Sequence, residues 1–226
     1  MRTYTGKIIY KTCTLIRKNK SFLIFILLMS VFRSAIADWY TIPSGSMMPT
    51  IEVGDRITVN KMAYDLRFPF SNTQLIRLNE PQRGDIVVFN SKAANKRLIK
   101  RVVALPGDRV SMSNGVLSIN NTRVTYQTVY ETAKEYVAKE TSQGNSRLIS
   151  IDKTQPPSLS NFDTVSVPQN HYLVLGDNRR NSADSRVYGF VPREELLGRA
   201  TYVVFSLNYD NNYIPKSGRF IKHLYL

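Results

Sequence analysis

The chain has 226 residues and a formal net charge of +14, from 31 Lys and Arg against 17 Asp and Glu. That length fits one sizeable domain, or one domain carrying an insertion, and ordinary apolar content leaves enough for a core. One cysteine, Cys13, and two histidines, His171 and His223, exclude an internal disulfide and a Cys- or His-rich metal site, so no metal or cofactor is expected.

The basic excess is informative by where it sits. Arg2, Lys7, Lys11, Arg17, Lys18 and Lys20 all precede the first acidic residue. Beyond them Lys and Arg are interleaved with Asp and Glu, and no basic run resembles a nucleic-acid arm, so no nucleic-acid partner is expected. After the basic stretch 1–20 comes "SFLIFILLMSVFRSAIA", residues 21–37, apolar from Phe22 to Phe32 apart from Ser30. It is marginal against the roughly 20 residues a spanning helix needs. Trp39 and Tyr40 follow as interfacial aromatics would, and Arg33 can reach headgroups with its long side chain. The positive-inside rule puts the N-terminus in the cytoplasm and everything after Asp38 on the far side. A cleaved signal peptide fits the same stretch, with Ala35-Ile36-Ala37 as the processing site.

The body is expected to be β-rich. "IPSGSMMPT", residues 42–50, is uncharged, and Pro43 and Pro49 restrict the backbone around Ser44-Gly45-Ser46. Gly54-Asp55, Gly84-Asp85 and Gly107-Asp108 each introduce a short apolar run, the pattern of a turn entering a strand. "RLIKRVVALPGD" reads as a strand, with Leu98, Lys100, Val102 and Ala104 on one face and Arg97, Ile99, Arg101 and Val103 on the other. Asn114-Gly115 and Asn120-Asn121 read as hairpin turns. "ETAKEYVAKETSQGNSR" and "TQPPSLSN" lack a sustained period and read as surface loops or a short exposed helix. "HYLVLGDN" and "ATYVVFSL" are two more strands. The expected architecture is a mainly β, twisted antiparallel sheet from 38–110 and 170–208. A β-rich insertion at 111–169 interrupts it, one N-terminal transmembrane helix at 21–37 precedes it, and a tail at 209–226 follows.

A serine nucleophile needs a base. Neither histidine is well placed for that role, but a lysine can serve if burial lowers its pKa. Lys100 has three apolar face-mates, which the other lysines lack. "GDNRRNSADSRVYGFVP", residues 176–192, is dense in hydrogen-bonding groups between two apolar strands, and a solvated loop of that composition is the plain alternative.

Taken together, "IPSGSMMPT", "GDRITVNKMAY", "RGDIVVF", "IKRVVALPGD" and "GDNRRNSADSRVYGFVP" resemble, in order, the successive motifs of bacterial type I signal peptidases. These are membrane-bound Ser/Lys endoproteases, and the motifs cover most of the chain between Ile42 and Ala200. The resemblance implies Ser46 as nucleophile and Lys100 as general base, with the Ser44 hydroxyl and the Ser46 backbone N–H as oxyanion hole. It implies that Ser182 orients Lys100, and that Arg101 with Asp177 and Asp184 with Arg186 are structural ion pairs. Ile42, Met47, Ile51, Leu98 and Ile99 match positions lining shallow apolar substrate pockets. The substrates implied are signal peptides of exported precursors, cut after an A-x-A pattern by a monomeric enzyme. A retained single anchor would hold the catalytic domain against the outer face of the cytoplasmic membrane. The sequence departs from the family pattern in showing one anchor where some members have two, in Arg180 where an acidic residue is common, and in an insertion without cysteine. A specialised peptidase of a pilus or conjugation system stays open, as does a non-catalytic periplasmic binding domain; self-cleaving SOS repressors of related fold are soluble and carry a DNA-binding domain, where this chain shows an anchor stretch instead. Self-cleavage after Ala37 is a further expectation to test.

Overall fold

The computed structural model describes residues 17–71 and 73–225, so the expectations for Arg2, Lys7, Lys11 and Cys13 lie outside it. Helix α1 (Lys20–Ala35) carries exposed apolar side chains around its circumference, among them Phe22, Phe25 and Leu28. It has 16 residues, or about 24 Å at 1.5 Å per residue. Among the described residues no helix is long and apolar enough to cross a membrane. The helix stops where the chain turns at Ile36 into β1 (Ala37–Thr41). The joint is tied by Lys61, whose Nζ donates to the carbonyls of Arg33 and Ser34 and pairs with Asp38.

The remaining strands follow in chain order. β2 (Asp55–Asn60), β3 (Asp65–Arg67), β4 (Gln74–Arg77), β5 (Ile86–Ser91) and β6 (Lys96–Ala104) come first. β7 (Arg109–Ser113), β8 (Val116–Ile119), β9 (Thr122–Arg123), β10 (Thr125–Glu131), β11 (Glu135–Ser142), β12 (Asn145–Asp152) and β13 (Phe162–Ser166) form the insertion. β14 (His171–Leu175), β15 (Val191–Pro192), β16 (Leu196–Asn208), β17 (Ile214–Pro215) and β18 (Lys222–His223) complete the chain. The main sheet runs β1-β2-β16-β5-β6-β14-β15, with β17 and β18 added to β16. The insertion makes two small sheets, β13-β7-β8-β9 and β10-β11-β12. Every strand pairing is antiparallel, as the turn-and-strand pattern predicts.

Three of the turns share one device. The carboxylates of Asp55, Asp85 and Asp108 accept from the backbone N–H three residues upstream, at Glu52, Gln82 and Leu105. The glycine before each Asp turns the chain into the strand. Asn114-Gly115 and Asn120-Asn121 adopt positive φ and close the β7–β8 and β8–β9 hairpins, as expected.

The polar segment 131–147 differs from expectation. It is neither loop nor helix, but the end of β10, all of β11 and the start of β12. Its alternation is real from Ala138 on, because Ala138, Glu140 and Ser142 are buried on one face, with Val137 also buried on the other. A glutamate occupies a core position, and that hid the pattern.

Gly54 has φ +93°, and a Cβ there would run into the carbonyl oxygen of Leu207, so the turn that follows the Ser46 loop admits only glycine. Gly54→Ala is expected to destabilise the fold by about 2 kcal/mol or more, read as a lowered melting temperature. An unchanged melting temperature would contradict this account of the turn.

Candidate active site

Lys100 is delivered by the middle of β6, where it lies opposite Val87 of β5. Ser46 comes from the turn between β1 and β2, stabilised by Met48 N–H on the Gly45 carbonyl and Ile51 N–H on the Met47 carbonyl. The structure brings the two together: Lys100 Nζ donates to Ser46 Oγ at 2.7 Å. Both are buried, Lys100 at 3% exposure and Ser46 at 8%. Burial lowers the Lys100 pKa to about 8, with Lys96 and Arg186 acting in the same direction against the opposing pull of Asp184 and Asp177. An ammonium in this setting loses hydration and gains no carboxylate partner of its own.

The stretch 176–184 supplies the walls, and it is largely buried rather than solvated. Asp177 takes Arg101 through both carboxylate oxygens, at 2.8 and 2.6 Å, and accepts from Thr50 Oγ1 at 2.6 Å. Asp184 takes Arg186 in the same forked way and also accepts from Gly176 N–H and Ser182 Oγ. Burial would raise the Asp184 carboxyl, but the Arg186 guanidinium outweighs it and holds the carboxyl below the usual range. The Asn178 N–H donates to the Ser46 carbonyl at 3.1 Å, and its side-chain amide to the Gly45 carbonyl at 3.3 Å.

The other sequence-selected residues fall as follows. Ser182 is buried with its hydroxyl on Asp184 Oδ2 at 2.8 Å, not on Lys100. Ser44 is exposed, two residues before Ser46. Ile42, Met47 and Ile51 are in the core cluster with Ile57, Val59 and Val203, and Ile99 packs against it. Met47 and Ile51 are fully buried, so a bound peptide would reach them only if the surface above them opened. Leu98 packs against a different cluster, with Val87, Phe89 and Val102, so it does not join the other four. Arg101 points away from the face bearing Lys100, as strand alternation predicts.

Sequence reasoning missed three contributors. Thr50 bridges Asp177 and Arg101. Asn178 grips the backbone of the Ser46 turn. Gly176 lies so close that a Cβ would sit 2.5 Å from the Ser46 carbonyl oxygen and collide with Ser182. Thr50 and Asn178 give no signal in a single sequence; Gly176-Asp177 belongs to the Gly-Asp recurrence visible in the sequence, but that pattern does not reveal its close approach to Ser46 and Ser182.

Burying Lys100 has a stability consequence with a definite sign. Below pH 8 both the folded and the unfolded chain carry the proton, and the desolvation penalty acts in full. It fades as pH rises from about 8 to the ordinary lysine value of 10.5. Lys100→Met is therefore expected to be more stable than wild type by about 2–3 kcal/mol at pH 7, with the advantage shrinking as the pH is raised through that window. Equal thermal stability at pH 7 would contradict a desolvated lysine.

Comparison with known proteins places this chain in a family. The sequence matches the family described as "Signal peptidase, peptidase S26" over residues 15–205. It is 34% identical to a signal peptidase I of Buchnera aphidicola (subsp. Schizaphis graminum), covering 82% of this chain and 73% of that one. It is 36% identical to a probable signal peptidase I-2 of Synechocystis, covering 83% and 72%. It is 35% identical to a signal peptidase I of Pseudomonas aeruginosa, covering 85% and 73%. The chain belongs to the signal peptidase family, peptidase S26.

Proposed function

We propose that this chain removes signal peptides from exported precursors by a Ser46–Lys100 dyad that forms an acyl-enzyme. The observation that carries the assignment is the buried Lys100 amine 2.7 Å from Ser46 Oγ. With a pKa of about 8, Lys100 is neutral often enough near physiological pH to act as a base. It takes the Ser46 proton as Oγ attacks the scissile carbonyl carbon. The resulting oxyanion is stabilised by the Ser46 N–H and the nearby Ser44 hydroxyl, a type of interaction worth roughly 2.7–4 kcal/mol per donor. Collapse breaks the peptide C–N bond, and the protonated Lys100 returns its proton to the leaving amine. Lys100, neutral again, then takes a proton from water as it attacks the ester carbonyl carbon, and collapse breaks the acyl C–Oγ bond while Lys100 returns that proton to Ser46 Oγ.

Substrate entry is supported by the sheet. β14 pairs with β6 at Arg101, Val102 and Ala104, whereas positions 96–100 of β6 pair with β5 only. The free edge beside Lys100 suits an extended peptide adding as a strand. Ile99 lies half-buried on that edge, and the buried Ile42, Met47 and Ile51 beneath it leave little depth, which favours small residues such as Ala in an A-x-A pattern. The exposed apolar α1 and the basic residues before it support attachment to the cytoplasmic membrane, with the catalytic domain on the outer side. Ser46 follows Ala37 by nine residues, which keeps the dyad near the membrane surface where a cleavage site emerges.

The test is cleavage of a precursor with an A-x-A site by detergent-solubilised protein. Wild type is expected to cut after the second Ala, while Ser46→Ala and Lys100→Ala lose about 10⁴-fold or more yet melt cooperatively. The wild-type kcat/KM is expected to rise with pH with a midpoint near 8, because the base must be unprotonated. Activity surviving in Lys100→Ala, or a pH profile flat from 6 to 9, would refute the dyad.

A further inference from the structure

The insertion brings a carboxylate into the wall of the site. Glu140 of β11 is fully buried, at 0% exposure. Its cross-strand partner is Arg147 of β12, and its carboxylate forms ion pairs with Arg147 and with Arg179, both also buried. Burial alone would raise the Glu140 carboxyl, yet the charges of Arg179 and Arg147 hold it below the usual range. Arg179 belongs to the stretch that holds Ser46, one residue after Asn178.

The contact is reinforced by backbone. Ser150 of β12 donates its N–H to the Asp177 carbonyl at 2.9 Å, and its own carbonyl accepts from Arg179 N–H at 2.8 Å. The segment 177–179 is thus held from two sides. Arg101 and Thr50 fix Asp177 from the main sheet, and Glu140 and Ser150 fix Arg179 from the insertion. Between them Asn178 bonds to the carbonyls of Gly45 and Ser46. A guanidinium this deeply buried cannot stay in place without a counter-charge. If it moves, Asn178 and the Ser46 turn move with it.

We propose that Glu140 is a positioning residue for acylation: its charge fixes Arg179 and, through the Asn178 hydrogen bonds, sets the backbone of Ser46 against Lys100. The proposal rests on the assignment of Ser46 and Lys100 above. It gives the insertion a part in catalysis that its place outside the main sheet does not reveal. A purely structural triad would do something different, because apolar side chains of similar volume can replace a buried ion cluster without loss of stability.

The experiment compares Glu140→Gln, Glu140→Asp and the triple variant Glu140→Leu/Arg147→Met/Arg179→Met with wild type and Ser46→Ala. It reads kcat and KM separately on one precursor, with a melting temperature for each protein. Glu140→Gln and the triple variant are expected to lose about 10–100-fold in kcat, the scale of a small misplacement of reacting groups, with KM within about twofold of wild type. Glu140→Asp, which keeps the charge, is expected to recover part of the loss. The triple variant decides the matter if Glu140→Gln alone fails to fold. A folded triple variant with wild-type kcat overturns the proposal, as does a loss confined to KM, or Glu140→Asp no better than Glu140→Gln. Wild type that does not cleave, or Ser46→Ala that does, removes the dyad and this proposal together. An active wild type, a dead Ser46→Ala and unimpaired Glu140 variants remove only the positioning role.

Discussion

A lysine amine held out of water next to a serine hydroxyl is the constraint on which the rest of this structure turns. Lysine keeps its proton in water to above pH 10, and a protonated amine cannot accept one from Ser46. Burial at Lys100 disfavours the charged form. Burial is effective only if no carboxylate is free to form an ion pair with the amine. The site contains Asp177, Asp184 and Glu140, all buried. Each is occupied by arginine: Asp177 by Arg101, Asp184 by Arg186, and Glu140 by Arg147 and Arg179. Arginine suits that task because it stays charged and engages a carboxylate with a planar fork. The acids hold the loops together, and the arginines keep the acids away from Lys100.

Such a site works against the fold that carries it. An unpaired buried amine lowers stability, and buried ion pairs return little net stabilisation after desolvation. The protein offsets this with apolar clusters on either side of the main sheet and with tight turns closed by Asp55, Asp85 and Asp108. The C-terminal tail adds to this. Arg219 reaches Asp55, Glu52 and the Thr50 carbonyl, which straps the segment immediately after the Ser46 turn. The same Thr50 carries its hydroxyl to Asp177, so tail, turn and the wall around Lys100 form one connected set of contacts.

How much of this could be read in the sequence depended on whether local chemistry and tertiary role agreed. The Gly-Asp turns and the Asn-Gly hairpin announce themselves, since few residues tolerate positive φ. Lys100 was singled out by its apolar face-mates, but a strand lysine reaching out to solvent fits the same pattern, and only the fold shows it buried against Ser46. Glu140 was not, because a glutamate at a core position breaks the alternation that would have marked β11, and its arginine partners lie 7 and 39 residues away along the chain. The family resemblance implies that Met47 and Ile51 line substrate pockets, and the fold buries both in the core cluster beneath the surface. Leu98 and Ile99 are neighbours in sequence, yet pleating sends them into different clusters. The apolar stretch 21–37 gave a helix, but the turn at Ile36 and the pairing of Ala37 with Asn60 drew its last residue into the sheet.

The central claim is that Ser46 Oγ becomes covalently acylated with Lys100 as its only base. It is tested most directly by quenching a single turnover of precursor in acid, where the ester persists, and mapping the adduct by mass spectrometry. The account predicts an ester joining the C-terminal Ala of the cleaved signal peptide to Ser46, formed more slowly as pH falls below about 8. An ester on any other residue, or product formation with no acyl-enzyme at any time point, would contradict it.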